Sequence, residues 1–196
     1  MSSKAKNIPW EEALDRLKSG NKRFVTDKLD GKLQDSDRRS QLTKSQHPFV
    51  IVLSCADSRV VPELAFDTGL GELFVIRVAG NVANTSTTAS IEYAVAHLDV
   101  KLIVVLGHES CGAVTAAIAG GDNGYNLNHL LSHITPSIAA SRKKDVNSVV
   151  KKNAKMTCND LVGRSEIIRK ATEKKRGELK IVPAYYNLGS GKVNFL

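Results

Sequence analysis

The chain has 196 residues, 42% of them hydrophobic, with 28 Lys and Arg against 20 Asp and Glu for a formal net charge of +8. That length supports one domain with its own core, and no apolar run nears the about 20 residues needed to cross a bilayer. Three cysteines, an odd number, suit no closed disulfide framework, and only 5% of residues are aromatic. The basic runs Arg142-Lys143-Lys144, Lys151-Lys152 and Lys174-Lys175-Arg176 carry helix-like periodicity with no aromatics between them. They read as solvated helix faces, not as a groove that stacks bases, so no nucleic-acid partner is expected. The polar start has no apolar h-region or cleavage site, which predicts a cytoplasmic chain with reduced thiols and no membrane partner.

Apolar residues at Trp10, Ala13, Leu14, Leu17 and Phe24 place a stripe on one helix face and predict an amphipathic helix ending near Gly20. A polar stretch, Thr26 to Gln46, leads to Pro48 and the continuous run Phe49 to Leu53, the pattern of a strand buried on both faces. Leu73 to Ile76 and Leu102 to Leu106 repeat it, with helical segments at Pro62 to Phe66 and Thr87 to Leu98 between them. Strands alternating with helices predict right-handed crossovers and a parallel sheet. After a Gly- and Asn-rich loop around Gly120 to Asn128 comes a helix-prone stretch, Leu130 to Lys175, interrupted by Pro136 and Gly163. Leu179 to Val182 and Ala184 to Tyr186 read as a last core strand, and Val193 to Leu196 as a short terminal one after a turn. The expectation is an α/β fold: a mostly parallel sheet of four to five strands flanked by helices. Residues 1–196 form a single unit, with an N-terminal helical arm over 1–46 and an α/β core over 47–196.

Loops at the carboxyl edge of a parallel sheet gather ligands, and three predicted strands run out into residues with chemistry. His108 and Cys111, two residues apart, can close on one ion from a single turn, and zinc accepts both ligand types. Taken alone, the pair is weak evidence, since Cys is commonly a small core residue. Cys55 stands at the matching end of another strand, so three soft ligands can converge and leave the fourth tetrahedral position open, as a catalytic zinc needs. Asp57 and Arg59 flank the same turn and can pair through a bidentate contact. The same residues also allow an ordinary surface ion pair, or a closed structural site with Asp57 as fourth ligand. Cys158 reads as a thiol without a ligand role, and His129 with His133 as an incidental helical pair. His47 and His97 stay unassigned, and Ser110 has no visible activating base.

The segments Cys55-Ala56-Asp57-Ser58-Arg59-Val60, Arg77-Val78-Ala79-Gly80-Asn81 and Gly107-His108-Glu109-Ser110-Cys111-Gly112 together resemble the β-class carbonic anhydrases. The likeness extends through Ile91 to Val95 and on to the C-terminal strands. The resemblance implies Zn2+ held by Cys55, His108 and Cys111, with reversible hydration of carbon dioxide to bicarbonate through a zinc-bound hydroxide. Zinc lowers the pKa of its water from about 15.7 toward roughly 7. Asp57 and Arg59 would form the catalytic dyad: Asp57 orients the hydroxide while Arg59 holds the carboxylate off the metal. In a closed state Asp57 would become the fourth zinc ligand. Gly112 would leave room for a linear substrate, and Val60, with Tyr93 from a neighbouring subunit, would form the apolar substrate wall. The family also implies a homodimer that can pair into a homotetramer, with the N-terminal helix laid across the partner. One subgroup carries a Trp three positions before the first zinc cysteine and is regulated by bicarbonate; here that position is Val52, so regulation beyond product inhibition is not expected. Rival substrates on the same scaffold are carbonyl sulfide and carbon disulfide.

Overall fold

A computed structural model describes residues 8–173 and 178–196; the basic run Lys174 to Arg176 lies outside them. Five strands, β1 (Val50–Ser54), β2 (Leu73–Arg77), β3 (Leu102–His108), β4 (Lys180–Tyr186) and β5 (Val193–Phe195), form one sheet in the order β2-β1-β3-β4-β5. The first four are parallel and β5 runs antiparallel to β4. Every residue of β1 and β3 is buried, because both strands lie inside the sheet with apolar layers on both faces. One layer joins Val50, Val52, Leu102, Val104 and Leu106 to Ala13, Leu17 and Phe66. The other joins Ile51, Leu53, Ile103 and Val105 to Ile91, Ala94, Leu161 and Ile168.

Nine helices among the described residues surround this sheet: α1 (Trp10–Val25), α2 (Ser36–Gln41), α3 (Pro62–Ala65), α4 (Thr85–His97), α5 (Gly112–Ala119), α6 (Tyr125–Ser132), α7 (Thr135–Ala140), α8 (Val146–Arg164) and α9 (Glu166–Glu173). Helix α1 does not stop at Gly20. A Cβ at that position would lie 1.8 Å from the Phe66 carbonyl oxygen, so the glycine is there for close approach to α3. Beside it, Asn21 Nδ2 donates to the Ala65 and Gly191 carbonyls, both at 2.9 Å, while Val193 N–H donates to its Oδ1 at 2.8 Å. Helix α1 is thereby seated on the sheet of its own chain, with Ala13 and Leu17 in the core; the expected seat on a partner is not what this chain alone displays.

The other expected breaks also shift. Pro136 lies in the first turn of α7, where its missing N–H costs nothing, and the helix it opens is short. Gly163 lies inside α8, and the chain turns instead at Ser165, whose extended backbone ends α8 and whose Oγ accepts from Ile168 N–H in α9 at 3.1 Å. Strand β4 continues through Pro183, which stays in register with Val105 of β3 and accepts from Leu196 N–H at 2.9 Å through its carbonyl.

Candidate metal centre

Strand β1 ends at Ser54 and delivers Cys55; β3 ends at His108, and Cys111 is the N-cap of α5. These three side chains are buried and bring their ligand atoms within 4.8 Å of one another, the only such His, Cys or carboxylate group among the described residues. The sulfurs of Cys55 and Cys111 lie 4.0 Å apart. A disulfide needs about 2.05 Å, whereas two thiolates on a tetrahedral zinc at about 2.3 Å stand about 3.8 Å apart. The spacing fits an ion.

His108 is fully buried. Its Nδ1 is 2.9 Å from the Glu109 carbonyl, which can only accept, so Nδ1 carries the proton and Nε2 keeps its lone pair. That Nε2 is buried with no hydrogen-bond partner, an expensive arrangement unless it ligates something. A carbonyl that accepts from the far nitrogen and fixes the tautomer is what a metal-bound imidazole needs. The two thiols divide their charge unequally. The hydrogen bond from Cys111 pulls Cys55 far below the ordinary thiol range, helped by the Gly80 N–H against the effect of burial. The same bond, with burial, drives Cys111 upward. A thiolate is the species a metal binds, and the site already favours one.

Asp57 and Arg59 form the expected pair in full. Arg59 Nε donates to Oδ1 at 2.9 Å and Nη2 to Oδ2 at 2.7 Å, while the Arg59 backbone N–H donates to Oδ1 at 3.0 Å. These bonds hold the Asp57 carboxyl below the usual carboxylate range. The carboxylate is 16% exposed and the guanidinium 54%. Oδ2 stands 3.8 Å from His108 Nε2, close enough to meet whatever binds between the three ligands.

Several residues without a reactive group build this geometry. Arg77, at the end of β2, donates from Nε to the Cys55 carbonyl at 3.0 Å and from Nη2 to the Asp57 carbonyl at 2.6 Å, clamping the turn that carries both. Gly80 N–H donates to Cys55 Sγ at 3.4 Å. Ser110, left-handed at φ 54°, donates its N–H to Asn147 Oδ1 at 2.9 Å, and Leu188 N–H donates to Glu109 Oε2 at 3.0 Å. Arg77 and Gly80 lie within the segments singled out from the sequence, but nothing in spacing assigns them these contacts. Asn147 comes from the long polar helix α8.

A Cβ at Gly112 would meet nothing within 4 Å, so there is open space beside Cys111. Val60 is fully buried in the core layer with Val52 and Phe66. The apolar side chains in one cluster with Cys55 and Cys111 include Val82, Val114 and Ile134, with Val78 against them. Tyr93 on α4 is 49% exposed and packs near Phe74 and His97, with ring centroids at 6.3 and 5.1 Å, away from its own chain's ligand cluster. Cys158 is buried and its thiol is pushed up to about 12 by burial. His129 and His133 meet edge to face at 5.4 Å without a third ligand.

A doubly layered, mostly parallel sheet with a Cys-His-Cys cluster at its carboxyl edge and a carboxylate held beside it defines a mononuclear metal site of the open, catalytic type. The carbonic anhydrase family model matches residues 50–193. The chain is 39% identical over 183 residues to carbonic anhydrase 2 of Mycobacterium tuberculosis, covering 90% of this chain and 87% of that one. It is 41% identical over 184 residues to the carbonic anhydrase of Mycolicibacterium smegmatis, with 90% and 88% covered. Among solved structures, a tetrameric β-carbonic anhydrase of Sordaria macrospora superposes with a TM-score of 0.73 at 25% identity, over 94% of this chain and 97% of that one. The Coccomyxa β-carbonic anhydrase bound to acetazolamide gives 0.72 at 25%, over 95% and 82%. The chain belongs to the β-class of carbonic anhydrases.

Proposed function

We propose that the chain catalyses the reversible hydration of carbon dioxide to bicarbonate, with Zn2+ held by Cys55, His108 and Cys111 and with Asp57 and Arg59 as its working pair. The observation that carries this is the bidentate Arg59 clamp, which holds Asp57 Oδ2 3.8 Å from the unpartnered Nε2 of His108. A site meant only for structure would have no use for a cation restraining its nearest carboxylate.

Bound zinc supplies a Lewis acid that makes a water nucleophilic near neutral pH. Asp57 stays ionised because Arg59 donates to both of its oxygens. It therefore works as a hydrogen-bond acceptor that fixes the direction of the attacking oxygen and does not store the proton. Arg59 sets where that acceptor stands, and Arg77 fixes the turn beneath both. The open space at Gly112 suits a small linear substrate. Should the Arg59 bonds open, the same Asp57 carboxylate can swing inward as a fourth ligand and close the site.

Val60 and the partner's surface complete the reading. Val60 backs the Asp57 turn, its N–H donating to the Asp57 carbonyl at 3.1 Å. Half-exposed Tyr93 would serve the site of a neighbouring subunit. A homodimer, and a tetramer built from it, is supported by the edge position of β2, flanked by exposed Leu64 and Leu70, and by the tetrameric relative. In such a dimer the face of α1 that its own sheet leaves uncovered, within an arm over 1–46, would lie against the partner, with 47–196 as the core of one functional unit. No described helix is long and apolar enough to cross a membrane, and we place the enzyme in the cytoplasm. Lys144 caps the Ile138 and Ala139 carbonyls of α7 and Lys151 sits 4.6 Å over the Tyr185 ring; this supports reading the basic excess as helix surface.

Stopped-flow CO2 hydration with metal analysis on the wild type and Arg59→Ala tests the proposal. One zinc per chain, activity rising toward alkaline pH, and a strong loss in Arg59→Ala are expected. Stoichiometric zinc with no hydration at any pH would overturn it.

A further inference from the structure

Helix α8 carries a buried amide that the mechanism above does not use. Asn153 is 2% exposed, on a helix whose other buried residues are mostly apolar or small. Its Nδ2 donates to the Gly80 carbonyl at 2.8 Å, and Ser137 Oγ, also buried, donates to its Oδ1 at 3.1 Å. The Gly80 carbonyl can only accept, so it takes the NH2 end of the amide, and the Ser137 hydroxyl holds the other end in place. Burying such a group costs stability unless every partner is in place, and here the partners lead in one direction.

Gly80 sits in a 3₁₀ turn, Ala79–Asn81, at φ 72° and ψ 12°, left-handed values that glycine reaches without strain. The peptide after it is held on both sides: Asn153 binds its carbonyl, and its N–H, that of Asn81, donates to the Val78 carbonyl at 2.9 Å. With that peptide fixed, the preceding one has little freedom, and its N–H is the one that donates to Cys55 Sγ at 3.4 Å. A Cβ on Gly80 would fall 2.7 Å from Ile134 Cδ1, so the turn is wedged from behind as well.

We propose that Asn153 is a positioning residue for the zinc thiolate of Cys55, acting through the Gly80 peptide turn, with Ser137 steadying its amide. An N–H bond to a ligating sulfur draws electron density away from it. The sulfur then donates less to the metal, and the metal polarises its remaining ligand more strongly. Outer partners of this kind commonly change metal affinity or activity by about 10- to 100-fold.

The proposal rests on the zinc-site reading, and cobalt separates the two. The Co(II)-substituted enzyme has a sulfur-to-metal charge-transfer band whose energy falls as the thiolate becomes richer in electrons. In Asn153→Leu, and in Asn153→Asp, which keeps the size but loses the donor, the band moves to longer wavelength. Because the freed turn no longer holds Cys55 Sγ in place for the ion, a competing chelator strips the metal about 10- to 100-fold more readily, although the richer thiolate is the better donor. Ser137→Ala moves both readouts the same way by less, and it carries the test if Asn153→Leu does not fold. Cys158→Ala, a cavity on the same helix far from the turn, leaves the band where it is. Folded Asn153 and Ser137 variants with wild-type bands and wild-type metal retention overturn the proposal while leaving the site intact. A wild type that takes up no Co(II) overturns the zinc-site reading and this proposal with it.

Discussion

Replacing Asp57 with asparagine changes one atom and tests how the carboxylate acts. Both Asp57 oxygens are engaged: Oδ1 accepts from Arg59 Nε and the Arg59 backbone, and Oδ2 accepts from Nη2. An asparagine keeps Oδ1 on its two donors and turns an NH2 toward Nη2 and toward His108 Nε2, where Oδ2 now lies at 3.8 Å. The group facing the reacting oxygen changes from a charged acceptor to a donor. A hydrogen bond to a charged group is worth about 1.5–3 kcal/mol, so kcat/KM should fall by about 10- to 150-fold. Asp57 is ionised far below neutrality, so the deficit should stay constant across the neutral and alkaline range. Stopped-flow CO2 hydration on zinc-replete protein measures it. A variant within twofold of wild type, or one whose deficit vanishes at alkaline pH, would refute the orienting role.

Gly112→Ala should leave thermal stability unchanged, because its Cβ meets nothing within 4 Å, yet raise KM for CO2; an unchanged KM would remove Gly112 from the substrate space. Gly20→Ala puts a methyl 1.8 Å from the Phe66 carbonyl oxygen and should cost about 1–3 kcal/mol in a denaturant titration, although alanine is the better helix former; a neutral or stabilising result would contradict the seating of α1. Asp67 accepts from Arg23 and, at 3.0 and 3.4 Å, from the backbone of Asp30 and Gly31. Burial, the largest single effect, raises its carboxyl, but the bonds from Asp30, Arg23 and Gly31 together outweigh it and leave it lowered. A carboxyl lowered in the folded state adds stability above its unfolded pKa of about 3.9, and that stability is lost as pH falls through the lower folded value. Asp67→Asn should therefore cost stability at neutral pH and progressively less in acid, and an equal loss at both would contradict the linkage.

How much of this was legible in the sequence depends on the kind of residue. Strands β1 and β3 could be read because both of their faces are buried, which leaves an unbroken apolar run with no helical phase. Cys55, His108 and Cys111 stood out because their side chains have few other reasons to sit together at strand ends. Gly20, Pro136 and Gly163 were misleading. Glycine and proline break helices in isolation, but Gly20 answers to the Phe66 backbone, Pro136 opens a helix, and Gly163 is simply carried within α8. Arg77, Asn147 and Asn153 act through backbone carbonyls and amides, and Ser137 through the Asn153 side chain, partners that lie next to them only once the sheet and α8 are assembled. No periodicity or spacing encodes that contact. The seat of α1 was likewise invisible, since an amphipathic stripe says that a face must be covered and not by which chain.

The central claim is that zinc at Cys55, His108 and Cys111 makes this chain a carbon dioxide hydratase. The most direct measurement is to strip the metal with a thiol-compatible chelator and titrate zinc back while following CO2 hydration. Activity should rise linearly and break at one zinc per chain, with Cys55→Ser failing to recover. Hydration that persists without zinc, or zinc taken up to one equivalent with no hydration, would contradict the account.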